Sequence, residues 1–187
     1  MDKLFPALCL LWFASEMWIV ARRRSGDRAR TRDAGTLRLL TVTIYASIAL
    51  AVWFGALGVA RFPVALRAPA WWLGIAMMLL GMPLRWWAIR VLSRYFTVDV
   101  AIRPDHRLVR SGPYRWLRHP SYTGSLLTFL GFGLGFGNWL SLLAVAAPVT
   151  LAFLWRIHVE ERVLREAFPD QYPAYAQATW RLLPFVW

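Results

Sequence analysis

Cysteine, lysine and histidine are nearly missing from this chain of 187 residues, which holds one cysteine, Cys9, one lysine, Lys3, and three histidines. A lone cysteine excludes an internal disulfide and a cysteine-ligated zinc site. His106 and His119 have no further histidine or cysteine near them, so no metal centre is expected. Cys9 lies in an apolar run and reads as a small buried hydrophobe. No repeat of fixed period and no low-complexity tract is present. Gly131, Gly133, Gly135 and Gly137 alternate with Phe and Leu, but no strand precedes them, which excludes a dinucleotide-binding fingerprint. Close helix packing is the use expected of them. Acidic residues are also scarce, 10 against 22 basic ones, for a net charge of +12. The arginines flank apolar segments rather than forming a nucleic-acid footprint, so anionic lipid headgroups are the expected counter-charge.

What the chain has in abundance is apolar surface. It is 58% hydrophobic and 16% aromatic, with twelve tryptophans, and its mean hydropathy is +0.42. Soluble domains sit nearer 45–50% apolar, and tryptophan in such number suits the aromatic belts of a membrane interface. The expectation is an all-α, polytopic membrane protein in one domain, 1–187, without a Rossmann unit. About five spans are predicted, at 4–21, 37–60, 70–92, 121–137 and 139–157, with a polar loop at 94–120 and a tail, 158–187, that forms a further helix. Glu16 inside the first segment and Arg22-Arg23-Arg24 after it disfavour a cleaved signal peptide. Arginine is dense in 22–38, in 94–118 and in the tail, and sparse in 61–67. With five spans the dense segments share one side, the cytoplasmic one, and the N-terminus lies opposite.

Chemistry concentrates in the polar run from His106 to Gly124. It carries His106, His119, Tyr114, Tyr122 and four arginines, lodged between membrane segments. Polar clusters at membrane depth are functional candidates by default. His119-Pro120 marks a helix start, and a helix N-terminus with free N–H groups suits an anion; a loop held by its own hydrogen bonds is the plainer account. Arg156 and Glu160 are i, i+4 neighbours. They form either an exit salt bridge or a divided site in which Arg156 holds a carboxylate bidentately and Glu160 holds a cationic or hydroxyl group. Glu16 is expected to face the bundle and to pair with Arg85 or Arg90. Leu164, Phe168, Tyr172 and Tyr175 form a stripe that docks the tail.

The run from His106 to Gly124, followed by Arg156, Glu160-Glu161, Phe168, Tyr172, Tyr175 and Arg181-Leu182-Leu183-Pro184, resembles the isoprenylcysteine carboxyl methyltransferase family over residues 85–184. Pro169 and Trp180 depart from the family pattern in the tail. The resemblance implies a membrane-embedded enzyme that uses S-adenosylmethionine in a pocket closed by the tail. It implies that Asp99, His106, Arg107, Leu108, Val109, Tyr114, His119, Pro120, Ser121, Tyr122 and Glu160 line that pocket. Arg156 would bind the substrate carboxylate, and Arg156 and Glu161 would be the catalytic pair. The implied acceptor is a lipophilic or prenylated carboxylate, without nucleic-acid partners, and the arginine-rich composition suits a prokaryotic inner membrane. Three rivals remain open at this level: a lipid-amine N-methyltransferase with His119 or Glu161 as base, a membrane reductase that binds NADPH, and a non-enzymatic scaffold.

Overall fold

The structure, a computed structural model, describes residues 3–22, 30–31, 35–96, 101–102 and 107–184. Among these residues the regular structure is helical apart from one antiparallel pair of two-residue strands. The elements are α1 (Leu4–Arg22), β1 (Arg30–Thr31), α2 (Thr36–Leu57), α3 (Val64–Leu92), β2 (Ala101–Ile102), α4 (Pro120–Gly135), α5 (Trp139–Ala167) and α6 (Tyr172–Gln177). β1 pairs with β2, which brings the two arginine-rich loops to the same end of the bundle.

Each predicted membrane segment forms a helix. Four of them, α1, α2, α3 and α5, are long and apolar enough to cross a membrane. α4 has 16 residues, ten of them buried, and is shorter than the roughly 20 residues a span requires. It is wrapped by protein instead of lipid. α3 begins six residues earlier than the hydropathy indicates and accommodates both Pro69 and Pro83. Prolines are tolerated in membrane helices, where neighbouring groups satisfy the freed backbone. α5 does not end at residue 157 but continues to Ala167, so the first third of the expected tail is an extension of the last span.

Lipid-facing and core-facing surfaces separate as a bilayer demands. Trp53, Trp72, Trp139 and Trp155 are exposed, and the core is built from Trp12, Met78, Phe129, Phe132, Val145, Val149 and Phe153. α3 and α4 pack backbone to backbone. A Cβ on Gly124 would meet Gly81 O at 2.6 Å and Arg85 N at 2.6 Å, and one on Gly74 would meet Gly131 O at 2.7 Å. Small residues permit this approach, and in lipid such close packing drives helix association. At the far end, the α4–α5 turn has Gly137 at φ +60°. Asn138 follows it, accepting from Ser141 N at 3.0 Å and donating to the carbonyls of Phe54 and Val59.

Candidate active site

α4 begins where the sequence places a helix start. Pro120 is its first residue, and the carbonyl of His119 accepts from the N–H groups of Tyr122 and Thr123, each at 3.0 Å. His119 is buried between two carboxylates of α5. Its Nε2 lies 3.4 Å from Glu161 Oε1 and its Nδ1 lies 3.9 Å from Glu160 Oε2. The neighbouring Tyr122 donates its hydroxyl to Glu160 Oε2 at 2.8 Å and accepts from Arg156 Nε at 2.9 Å. Arg156, 2% exposed, also donates to Thr36 Oγ1 at 3.0 Å. A single phenol therefore joins the two partners that the sequence sets one helical turn apart.

Arg156 and Tyr122 form the polar end of a cavity of about 560 Å³. Its walls are apolar side chains of α1, α2, α4 and α5, including Leu10, Phe13, Leu40, Ile44 and Phe129. Several wall residues, Leu10, Phe13 and Met17 of α1 with Tyr45 and Val52 of α2, are also exposed on the molecular surface. The cavity thus opens sideways between α1 and α2. Cys9 is half-buried in this wall rather than sealed in the core. Glu16 meets Arg85 there, as expected, in a bidentate pair at 2.6 and 2.8 Å, while Arg85 Nη1 donates to Ser121 Oγ at 3.0 Å.

Glu161 stands on the other side of His119 and is 3% exposed. It accepts from Arg118 Nε at 2.9 Å and from Arg181 Nε at 3.1 and 3.2 Å, with Arg165 Nη2 at 3.5 Å. Arg118 also donates to the carbonyls of Ala176 and Thr179. The tail continues as a short parallel bridge beside the loop. Arg118 N donates to Trp180 O at 2.7 Å, Trp180 N to Trp116 O at 3.0 Å and His119 N to Arg181 O at 3.1 Å. Tyr175 closes the stripe by donating to Tyr114 O at 2.8 Å. Burial pushes the phenols of Tyr114, Tyr172 and Tyr175 above their ordinary value, so all three are neutral at physiological pH. The Tyr172 hydroxyl is fully buried and has no partner among the described residues; its surroundings include Glu161, Arg118 and Glu160.

Of the residues singled out from sequence, Tyr114, His119, Pro120, Ser121, Tyr122, Arg156, Glu160 and Glu161 gather around α4's first turn and the outer part of α5. Leu108 and Val109 are half-buried and Arg107 is exposed; none has a hydrogen bond to that cluster among the described residues. Asp99 and His106 lie outside the described residues. Sequence reasoning missed Arg118 and Arg181 as the cations that bind loop and tail to Glu161. The one local signal was the position of Arg118 immediately before His119-Pro120. It also missed the contribution of α1 and α2 to the cavity.

A sequence profile of the phospholipid methyltransferase family matches residues 69–171, from the second turn of α3 to the residue before α6. The chain belongs to that family. It is 40% identical over 121 residues to protein-S-isoprenylcysteine O-methyltransferase B of Arabidopsis thaliana, covering 62% of this chain and 61% of the plant protein. It is 34% identical to the protein-S-isoprenylcysteine O-methyltransferase of Saccharomyces cerevisiae, covering 61% of this chain and 48% of the yeast protein. Among solved structures, the eukaryotic intramembrane Ras methyltransferase ICMT (isoprenylcysteine carboxyl methyltransferase) superposes with a TM-score of 0.62 at 28% identity, over 78% of this chain and 52% of that one. The chain spans about half to three-fifths of the length of these relatives.

Proposed function

We propose that the protein transfers a methyl group from S-adenosylmethionine to the carboxylate of a lipophilic, isoprenylcysteine-like acceptor at the cytoplasmic face of a bacterial inner membrane. The observation that carries this reading is the Tyr122 hydroxyl, shared between Glu160 and an Arg156 that ends an apolar cavity open to lipid. Arginine's planar fork matches a carboxylate bidentately, and the cavity beneath it suits the acceptor's hydrocarbon tail. The names of the plant and yeast relatives support the same acceptor class.

The residues present fit the cofactor. Glu160 offers a carboxylate to hydroxyl or cationic groups, and Tyr172 keeps a buried hydroxyl without a partner among the described residues. When bound, S-adenosylmethionine supplies a methyl group activated by a sulfonium. Arg156 then aims a carboxylate oxygen at that carbon. A bond from that oxygen to the methyl carbon would leave the carbon–sulfur electron pair on sulfur, so the transfer would balance without a further reactant. A carboxylate is already ionised, so no proton moves and no general base is needed. The chain's work is alignment and exclusion of water by the loop–tail bridge. His119, Pro120, Ser121, Tyr114 and the 107–109 segment would line the cofactor side, with Asp99 and His106 beyond the described residues. Glu161 reads better as the clamp between loop and tail than as a catalytic group. A lipid-amine acceptor fits less well, because an ammonium must lose a proton before it can attack, whereas buried Arg156 at the acceptor end matches an ionised carboxylate directly.

Calorimetry on protein purified in detergent is expected to detect binding of S-adenosylmethionine and none of NADPH. Arg156→Ala is expected to lower methyl transfer to N-acetyl-S-farnesylcysteine by at least ~100-fold, the loss of a charged bidentate contact worth about 3 kcal/mol, with cofactor affinity within several-fold of wild type. Simultaneous loss of transfer and cofactor binding in folded protein would sink this division of roles.

A further inference from the structure

Tyr122 stands at the boundary between two compartments. It lines the lipid-side cavity together with Arg156, whereas Glu160 lies off that cavity against His119 Nδ1. Its ring packs against the His119 imidazole, with centroids 5.6 Å apart and planes at 21°, and against the Phe153 ring at 5.1 Å. Its backbone N–H is bound to His119 O. The hydroxyl is therefore fixed in its double role, donor to Glu160 and acceptor from Arg156. A carboxylate and a guanidinium bridged by one phenol polarise each other through it, more strongly in a low-dielectric site than in water.

We propose that Tyr122 is a positioning residue that makes acceptor affinity depend on the charge of the bound cofactor, a coupling that rests on the methyl-transfer reading above. Without cofactor, the negative charge of Glu160, relayed through the phenol, weakens the pull of Arg156 on a second carboxylate. A positive centre beside Glu160 offsets that charge and returns Arg156 to full strength. After transfer, the sulfur is an uncharged thioether and the acceptor an uncharged ester, so the attraction at both ends disappears together. Tight grip is thus confined to the reactive pair of ligands and relaxes on the product pair. By linkage the acceptor tightens the cationic cofactor by the same factor.

The test is titration of N-acetyl-S-farnesylcysteine into detergent-purified protein in three states: alone, saturated with S-adenosylhomocysteine, and saturated with sinefungin. In sinefungin a charged amine takes the place of the sulfonium and cannot donate methyl. Binding is expected to be roughly 10-fold tighter with sinefungin than with S-adenosylhomocysteine, within the usual range of coupling between sites. Tyr122→Phe keeps the ring stack, and its folding is checked by thermal unfolding. In this variant the ratio is expected to fall to about one. An independent arm uses nucleoside-free protein, in which Glu160→Gln is expected to bind the acceptor several-fold tighter than wild type, a gain that a merely structural Glu160 does not produce. A wild-type ratio of one, an unchanged ratio in folded Tyr122→Phe, or no gain in Glu160→Gln overturns the coupling. Failure of the acceptor to bind in any state, with both nucleosides bound, removes the carboxylate-acceptor reading and the coupling with it. Failure of both nucleosides to bind removes the methyltransferase reading itself.

Discussion

Glu161 receives Arg118, Arg181, Arg165 and His119 on one nearly inaccessible carboxylate. Truncating it strands Arg118 and Arg181 close together, and breaking a buried ion pair from one side costs ~3 kcal/mol or more. Glu161→Ala is therefore expected to lower the thermal unfolding midpoint in detergent and to speed proteolysis in the tail after Phe168. If it instead abolishes transfer without loss of stability, the clamp assignment is wrong. Tyr175 gives the site a pH dependence of known sign. Burial raises its phenol from 10 to about 12, against the opposing pull of Arg118 and Arg110. The folded state holds this proton more tightly than the unfolded chain, so its contribution to stability is complete below pH 10 and declines from there towards about 12. Tyr175→Phe should flatten the alkaline limb of a stability–pH profile. At this scale much of the site was legible in sequence, because Arg156 and Glu160 share a helix face and His119 precedes a proline that starts a helix. The clamp was not, because its partners lie 43 and 20 residues from Glu161, a distance no periodicity reports.

Among the elements, α5 explains why its residues reach both compartments. At 1.5 Å per residue its 29 residues extend about 43 Å, against a hydrocarbon core of about 30 Å. The helix is therefore longer than that core, and its polar last turns carry Glu160 and Glu161. Hydropathy marks where apolar sequence stops, near residue 157, but the backbone has no reason to stop there. Helix-breaking chemistry first arrives at Phe168-Pro169, and the helix ends at Ala167. The same gap between hydropathy and packing lets α4 run from the His119 end to the α2–α3 connector at Asn138 in only 16 residues, since its apolar residues face protein. The α3–α4 contact makes a firm prediction. Gly124→Ala places a methyl group against the backbone of Gly81 and Arg85, and neither can yield without moving a helix. A loss of about 1–3 kcal/mol is expected from such overpacking, read as a lower unfolding midpoint, whereas Gly35→Ala, with nothing near its Cβ position but a φ of +76°, tests backbone strain alone.

For the molecule as a whole, the helical bundle, its arginine-rich end and the docking tail could be read from the order of apolar and basic segments, while the cavity depends on how α1 and α2 stand apart, which no single segment encodes. α1 buries few side chains, Leu8, Trp12 and Ile19, and the Glu16–Arg85 pair is its polar tie to the bundle. Cys9, the one thiol of the chain, lines the cavity and serves as a native reporter. Its labelling by a membrane-permeant maleimide is expected to slow severalfold when N-acetyl-S-farnesylcysteine is present, by simple occlusion of the thiol; unchanged labelling would argue that the acceptor lodges elsewhere. On the methyl-transfer reading proposed above, the sideways opening between α1 and α2 also sets the phase from which the acceptor would be drawn. An amphiphile that reaches Arg156 through that gap is sampled by lateral diffusion within the bilayer, not from bulk water. Turnover should accordingly track the mole fraction of acceptor in the lipid and fall when inert lipid is added at constant total acceptor, a surface-dilution behaviour foreign to enzymes that meet their substrates in solution.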